Sequence, residues 1–324
     1  MLELLTVDLS LERIEEAVKV IDPPLLNTPQ FSDPILSEAL GRETVVKMEN
    51  VSPIGSFKGR GADYFVAGLE RHDERLVTAT AGNWGIGLAY AGHRHGHRVD
   101  IFAGTSAYAG KLRRMRALGA NVTVVDGGPD AVHAAARDLA DSESGCRLVA
   151  DGEPAAVAEG HGTIGIELLR TGTLDTVVVP VGDGALISGI ARWLKAQSPN
   201  THVVGVCASG APAMKLSIDA GHPVQSAPTT IAGGLAIGEP IAASLERVRA
   251  LVDDVVLVDD DDIRAAMALI ADTLGVLVEP SGAAGVAAVQ RHSMPGERIA
   301  VLLTGAAERP DWTAALDSFA RPPG

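Results

Sequence analysis

The sequence predicts an α/β protein built on two parallel sheets, and three observations carry that prediction. Short apolar strands alternate with helical stretches of about 10–15 residues in both halves of the chain, the signature of βαβ units. Two strand-to-helix junctions, at 80–87 and 180–189, are rich in glycine and leave bare backbone at a helix N-terminus. Aromatic residues make up only 3% of the chain while Ala, Val and Gly abound, which suits helices packed tightly on a parallel sheet.

Taken in order, residues 8–22 read as an amphipathic helix. Asp8 or Ser10 can cap it, Leu11, Ile14, Ala17, Val18 and Ile21 recur at helical spacing, and Pro23-Pro24 stops it. A short strand at 44–49 leads into a turn at 51–55 and then a helix over 59–69. Strands at 76–79, 98–102 and 121–125 alternate with helices at 84–95, 109–118 and 129–140. The second half repeats the theme, with strands at 176–180, 202–206, 255–258 and 298–303 and helices at 187–197, 261–274 and 281–290. No sequence repeat, low-complexity tract or extended linker interrupts the pattern.

Bulk properties exclude several function classes. A chain of 324 residues has room for one large or two modest domains with real cores. With 46% hydrophobic and 21% charged residues it reads as an ordinary soluble globular protein. No apolar run approaches the roughly 18 residues of a membrane span. Met1-Leu2-Glu3-Leu4-Leu5 shows no basic leader, and Cys146 and Cys207 are two distant thiols without ligand spacing, so a cytoplasmic, reducing location is expected. A net charge of −14 argues against nucleic-acid binding.

Three segments point to chemistry. In Ser56-Phe57-Lys58-Gly59-Arg60-Gly61 a lysine sits in a glycine-flanked run just after a turn. A Schiff-base lysine needs such a setting, with its amine held at a fixed point and partly desolvated, whereas a solvated surface lysine does not. Thr80-Ala81-Gly82-Asn83-Trp84-Gly85 offers free N–H groups at a helix start, a natural cradle for a carboxylate. Pro180-Val181-Gly182-Asp183-Gly184-Ala185-Leu186 offers a similar nest for a phosphate. Asp183 would repel a dianion there, so its carboxylate is expected to point away or to cap a turn. There is no Walker lysine and no G-x-G-x-x-G, which leaves nucleotide binding a weak rival.

The run Ser56-Phe57-Lys58-Gly59-Arg60-Gly61-Ala62 resembles the cofactor-lysine motif of the fold-type II pyridoxal-phosphate enzymes, the tryptophan synthase β-like superfamily. Its members include threonine and serine dehydratases, threonine synthase and cysteine synthase. Four later segments match in order, from about residue 25 to about residue 307. The resemblance implies two α/β domains with pyridoxal 5'-phosphate in the cleft between them. A smaller domain over 43–148 would be inserted into a larger one made of 1–42 and 149–324. It implies that Lys58 carries the cofactor and does the proton chemistry. Asn83 would meet the cofactor's phenolic oxygen, and Gly182, Asp183, Gly184, Ala185 and Leu186 its phosphate through the backbone. Ser56, Thr80, Ala81 and Gly82 would grip the substrate. Thr304 would face the pyridine nitrogen, where a neutral hydroxyl makes a weaker electron sink and favours α,β-elimination or replacement over transamination.

Glu279-Pro280-Ser281-Gly282-Ala283 resembles a dehydratase segment, with Glu279 shaping the site's electrostatics, although Ser281 as a helix N-cap is an equally supported reading. Gly233 falls in the family's substrate-facing loop, where many dehydratases have Asp, and His161 falls where members usually have Gln and would line the cleft. Trp84 stands where dehydratases carry His and is read as a lid, a pocket wall or a packed ring. Ala81 replaces the serine that racemases of this family use as a second base, which counts against racemisation. The runs His93-Arg94-His95-Gly96-His97 and Asp259-Asp260-Asp261-Asp262 read as helix-end chemistry, not metal sites. Cys207-Ala208-Ser209 lacks the glutamate of the family's cation site, so no metal is expected.

The resemblance thus implies a dehydratase-like lyase acting on a small β-substituted amino acid such as threonine or serine. The alternative is a β- or γ-replacement synthase, favoured by Gly182-Asp183-Gly184 and Cys207-Ala208-Ser209-Gly210. A catalytically silent scaffold would have no use for both Lys58 and Asn83. A homodimer is expected, with no regulatory domain after about residue 310.

Overall fold

Helix α1 (Leu11–Val20) begins where the Ser10 hydroxyl accepts the Arg13 N–H, so of the two expected caps it is Ser10 that serves. The computed structural model describes residues 7–71 and 73–307; the leader segment 1–5 and everything past 307 lie outside the described residues. A tight turn at Pro23–Leu25 follows, then β1 (Gln30–Ser32), α2 (Pro34–Leu40) and β2 (Glu43–Met48). Next come α3 (Lys58–Ala67), β3 (Arg75–Ala79), α4 (Asn83–His95), β4 (Val99–Gly104), α5 (Ala109–Ala117), β5 (Asn121–Val125), α6 (Gly128–Ser142), β6 (Cys146–Leu148) and α7 (Ala155–Leu168). The remainder is β7 (Thr176–Pro180), α8 (Ala185–Gln197), β8 (His202–Ala208), α9 (Ala213–Ala220), α10 (Ala242–Leu251), β9 (Asp254–Val258), α11 (Asp260–Leu274), α12 (Pro280–Arg291) and β10 (Arg298–Leu303).

These strands form the two expected sheets. One has the order β1-β2-β10-β7-β8-β9 and is parallel except for β1 against β2; the other, β5-β4-β3-β6, is parallel throughout. Strand β2 belongs to the six-stranded sheet, in register with β10 from Glu43↔Arg298 to Met48↔Leu303. The division at residue 43 therefore does not follow the sheets. The reason is physical: β2 is buried along its length after Glu43, which suits an interior strand of a covered parallel sheet. Among the described residues no helix is long and apolar enough to cross a membrane.

Helix α7 is not among the predicted helices, and Gly160, Gly162 and Gly165 make its sequence a poor helix former. Each glycine costs about 1 kcal/mol of helix propensity relative to alanine. Close packing outweighs that cost. A Cβ at Gly160 would stand 2.7 Å from the Arg60 carbonyl oxygen of α3, and one at Gly162 would stand 3.0 Å from the Gly189 carbonyl oxygen of α8. The bare faces let α7 lie flush between α3 and α8, the helices that begin with the lysine and the phosphate-nest loop.

Candidate active site

The lysine segment is fixed before its side chain is considered. Ser52 Oγ accepts the Ser56 N–H and donates to the Ser56 carbonyl, closing the turn. The Phe57 N–H donates to the Thr304 carbonyl and the Ala306 N–H to that of Gly55, tying the turn to the end of β10. Helix α4 crosses the start of α3 so closely that a Cβ at Gly87 would stand 3.1 Å from the Lys58 carbonyl.

From this base the Lys58 amine reaches two carboxylates, Asp151 Oδ2 at 2.6 Å and Asp183 Oδ2 at 3.0 Å. The Phe57 ring lies 4.9 Å away. Burial alone would favour a neutral amine, but Asp151 first and then Asp183 outweigh it, so the lysine stays protonated. The two acids divide. Burial and the charge of Asp183 push the Asp151 carboxyl up to about 7, only partly offset by Lys58. For Asp183 burial acts the same way but is outweighed by Lys58 and by the Ala185 N–H, which holds its carboxyl below the usual range. Asp183 Oδ1 accepts that N–H at 2.7 Å. The expected cap is present, and the same carboxylate also faces the lysine.

The loop at 182–186 is shaped by its glycines. Gly182 passes the Gly234 carbonyl too closely for any Cβ, and Gly184 has φ +96°, which favours glycine. Together they leave bare backbone at the N-terminus of the 13-residue helix α8. Leu186 is turned into the core. Across the site, Asn83 opens α4, which has no side-chain cap, and the preceding Ala81 is exposed. Thr80 Oγ1 accepts the Gly82 N–H at 3.2 Å. Asn83 Nδ2 donates to Glu279 Oε1 at 2.8 Å, and Lys111 Nζ lies 3.2 Å from Glu279 Oε2. The Glu279 N–H donates to the Gly305 carbonyl, so Glu279 abuts the strand end that carries the buried Thr304.

The remaining singled-out residues have the following surroundings. Trp84 is a packed ring: it is buried in the core and its Nε1 donates to Thr78 Oγ1. Ser281 does not cap α12; its hydroxyl accepts the Gly234 N–H at 2.8 Å and braces the 231–235 loop, in which Gly233 faces open space. His161 is wholly buried, edge-on to Phe57 at 4.8 Å, with neither ring nitrogen hydrogen-bonded. Burial first, then the Lys58 charge, keeps it neutral. Ser56 is buried with its hydroxyl unpartnered. In the acidic run, Asp259 Oδ1 accepts the N–H groups of Asp261 and Asp262 while Asp262 accepts that of Asp259, a capping box at α11. Arg94 and His95 pair with Asp63.

Sequence reasoning missed Asp151. It lies 93 positions from Lys58 in the chain, and nothing local marks an acid in a connecting segment as a lysine partner.

Comparison with known proteins bears on this arrangement. The family described as "Pyridoxal-phosphate dependent enzyme" matches residues 21–305. The L-threonine ammonia-lyase of Thermotoga maritima is 33% identical over 303 residues, covering 92% of this chain and 75% of that protein. Among solved structures, maize serine racemase superposes with a TM-score of 0.88 at 28% identity, covering 96% of this chain and 97% of that one. The processed threonine deaminase isoform 2 of Solanum lycopersicum gives 0.85 at 30% identity, covering 96% and 94%.

Proposed function

The chain belongs to the pyridoxal-phosphate dependent enzymes, and we propose that it is a lyase that eliminates the β-hydroxyl and α-amino groups of a small amino acid such as threonine or serine. The observation that carries this reading is a part-buried lysine amine beside a bare-backbone helix start, in a chain whose relatives include threonine ammonia-lyases.

The residues present fit the cofactor. Gly182 leaves a close-approach backbone cradle at the positive end of α8, suited to a phosphate, and the Lys58 amine lies next to it. The Asp183 carboxylate now holds the Ala185 N–H and would give it up to the phosphate. Lys58, Asn83, Thr304, Glu279 and the backbone of Gly182, Asp183, Gly184, Ala185 and Leu186 are the residues that would hold the group. When bound, the cofactor supplies the electron sink for a carbanion at Cα.

The chain's own part follows from position. Thr80, Ala81 and Gly82 present the uncapped α4 N-terminus to the substrate carboxylate, and Ser56 is a further candidate for gripping the substrate. Lys58, freed as an amine, takes the Cα proton. Racemisation needs a second proton carrier on the opposite face, and the Ala81 side chain holds no proton. That supports elimination, the neighbouring racemase structure notwithstanding. The reading also places the protein as a cytoplasmic homodimer, which sedimentation and cell fractionation decide.

The test is to mix cofactor-loaded protein with threonine, serine, O-acetylserine and O-phosphohomoserine, and to record the visible spectrum and the oxo acid released. Oxo acid from threonine or serine with no added nucleophile is the expected result. A lasting absorbance change without oxo acid would replace elimination by a two-substrate synthase.

A further inference from the structure

Asp151 has no part in the roles above, yet among the described groups it is the one held closest to the Lys58 amine. Its Oδ2 lies 2.6 Å from Nζ, its Oδ1 has no hydrogen-bond partner, and its side chain is 27% exposed. The backbone that carries it is clamped independently of the lysine. The next carbonyl, that of Gly152, accepts from Ser244 Oγ and from Arg247 Nη1, both at 3.3 Å. Arg247 is itself fixed by Asp8 at 2.6 Å. A carboxyl group so placed has one oxygen on the lysine and leaves the other without a partner.

We propose that Asp151 is a catalytic residue for departure of the β-group: it gives its own proton to the leaving hydroxyl and is reprotonated by the proton that Lys58 removes from Cα. The proposal rests on the elimination reading and adds the acid to it. Lys58 Nζ takes the Cα proton, and the electron pair of that C–H bond becomes the Cα=Cβ double bond. The Cβ–O bond breaks with its electrons on oxygen, and the oxygen leaves as water with the proton from Asp151. Lys58 then gives its proton to Asp151 across their contact, so the pair is restored and no outside acid is consumed.

The neighbouring charges agree with that assignment. Asp183, whose burial is outweighed by the Lys58 charge, stays ionised and is not available as an acid. Asp151, pushed upward by burial and by Asp183, can carry a proton near neutrality. The charged groups facing it are Lys58 from α3 and Asp183 from the loop before α8.

The test separates leaving groups. Chloride departs without a proton and hydroxide does not. In Asp151→Asn, turnover of threonine should fall about 100-fold or more through kcat, while β-chloroalanine turnover stays near wild type. Lys58 still works in that variant, so threonine recovered from D2O should carry deuterium at Cα. Equal losses on both substrates, or loss of the deuterium exchange, would overturn the assignment and leave Asp151 as a support for the lysine. Should the Asn variant fail to hold the cofactor, Asp151→Ala with added formate takes its place: formate should restore threonine turnover, and no restoration counts against the proposal. Wild-type protein that releases no oxo acid from threonine, serine or β-chloroalanine would instead sink the elimination reading, and this proposal with it.

Discussion

Arg60 stands two residues beyond Lys58 and is 1% exposed, and its replacement gives a sharp test of how the lysine helix is held. Its Nε and Nη2 donate to Glu49 at 3.0 and 2.8 Å, and Nη2 also to Thr28 Oγ1 at 3.2 Å. Nη1 donates to Glu167 Oε1 at 2.6 Å and Thr163 Oγ1 at 3.1 Å. Lys47 completes the cluster on Glu167 Oε2 at 2.5 Å and the Thr28 carbonyl at 2.8 Å. Two cations thus balance two anions in the interior. Arg60→Met keeps most of the volume but leaves Glu49 and Glu167 facing Lys47 alone. Removing one partner of such a buried network costs about 3–5 kcal/mol, a large part of the ~5–15 kcal/mol that holds a typical domain. Urea unfolding of the cofactor-loaded protein measures it. Arg60→Met with Glu49→Gln restores neutrality and should recover part of the loss. A single-variant loss below about 1 kcal/mol, the level of an exposed pair, would refute the reasoning, as would a double variant no better than the single.

Three further outcomes are expected. Lys58→Ala should lose the absorbance of lysine-bound cofactor and all oxo-acid release; retained turnover would move the chemistry to another residue. Asp183→Asn should bind the cofactor more tightly in a spectrophotometric titration, because the phosphate no longer displaces a carboxylate from the Ala185 N–H. Weaker binding would mean that the acid helps to hold the group. The third concerns pH in the cofactor-free protein. The Asp151 carboxyl is raised from 3.8 to about 7 by folding, so between those values the folded chain binds a proton that the unfolded chain lacks. Compared with Asp151→Asn, wild-type stability should therefore rise as pH is lowered from about 7 to about 4, then level off. A flat or falling difference in thermal scans would remove that proton from the site.

What the sequence made legible was local. The β7 run is buried at every position and the β10 run at all but its first, so composition alone gives each as an interior strand. The lysine, the two glycine loops and Thr304 stand at junctions where backbone geometry constrains residue type, and the structure brings them to one place. What stayed hidden depends on partners distant in the chain. Which of its three readings Trp84 would take rested on Thr78, the acceptor of its indole N–H, and Ser281 became a brace because the 231–235 loop crosses it. Asp151 gains meaning only from the lysine and the second acid that fold brings to it. The missing helix α7 is the telling case. Its glycines are poor helix formers read locally, and they are required by α3 and α8 once the three pack together. That helix supplies Thr163 and Glu167 to the Arg60 cluster, and its His161 backs Phe57. The element least visible in the sequence is thus the one on which the lysine helix rests. Motifs name the reacting groups because their neighbours in sequence are constrained. The groups that hold them in register are constrained only in space, and a stability measurement at Arg60 probes that second layer directly.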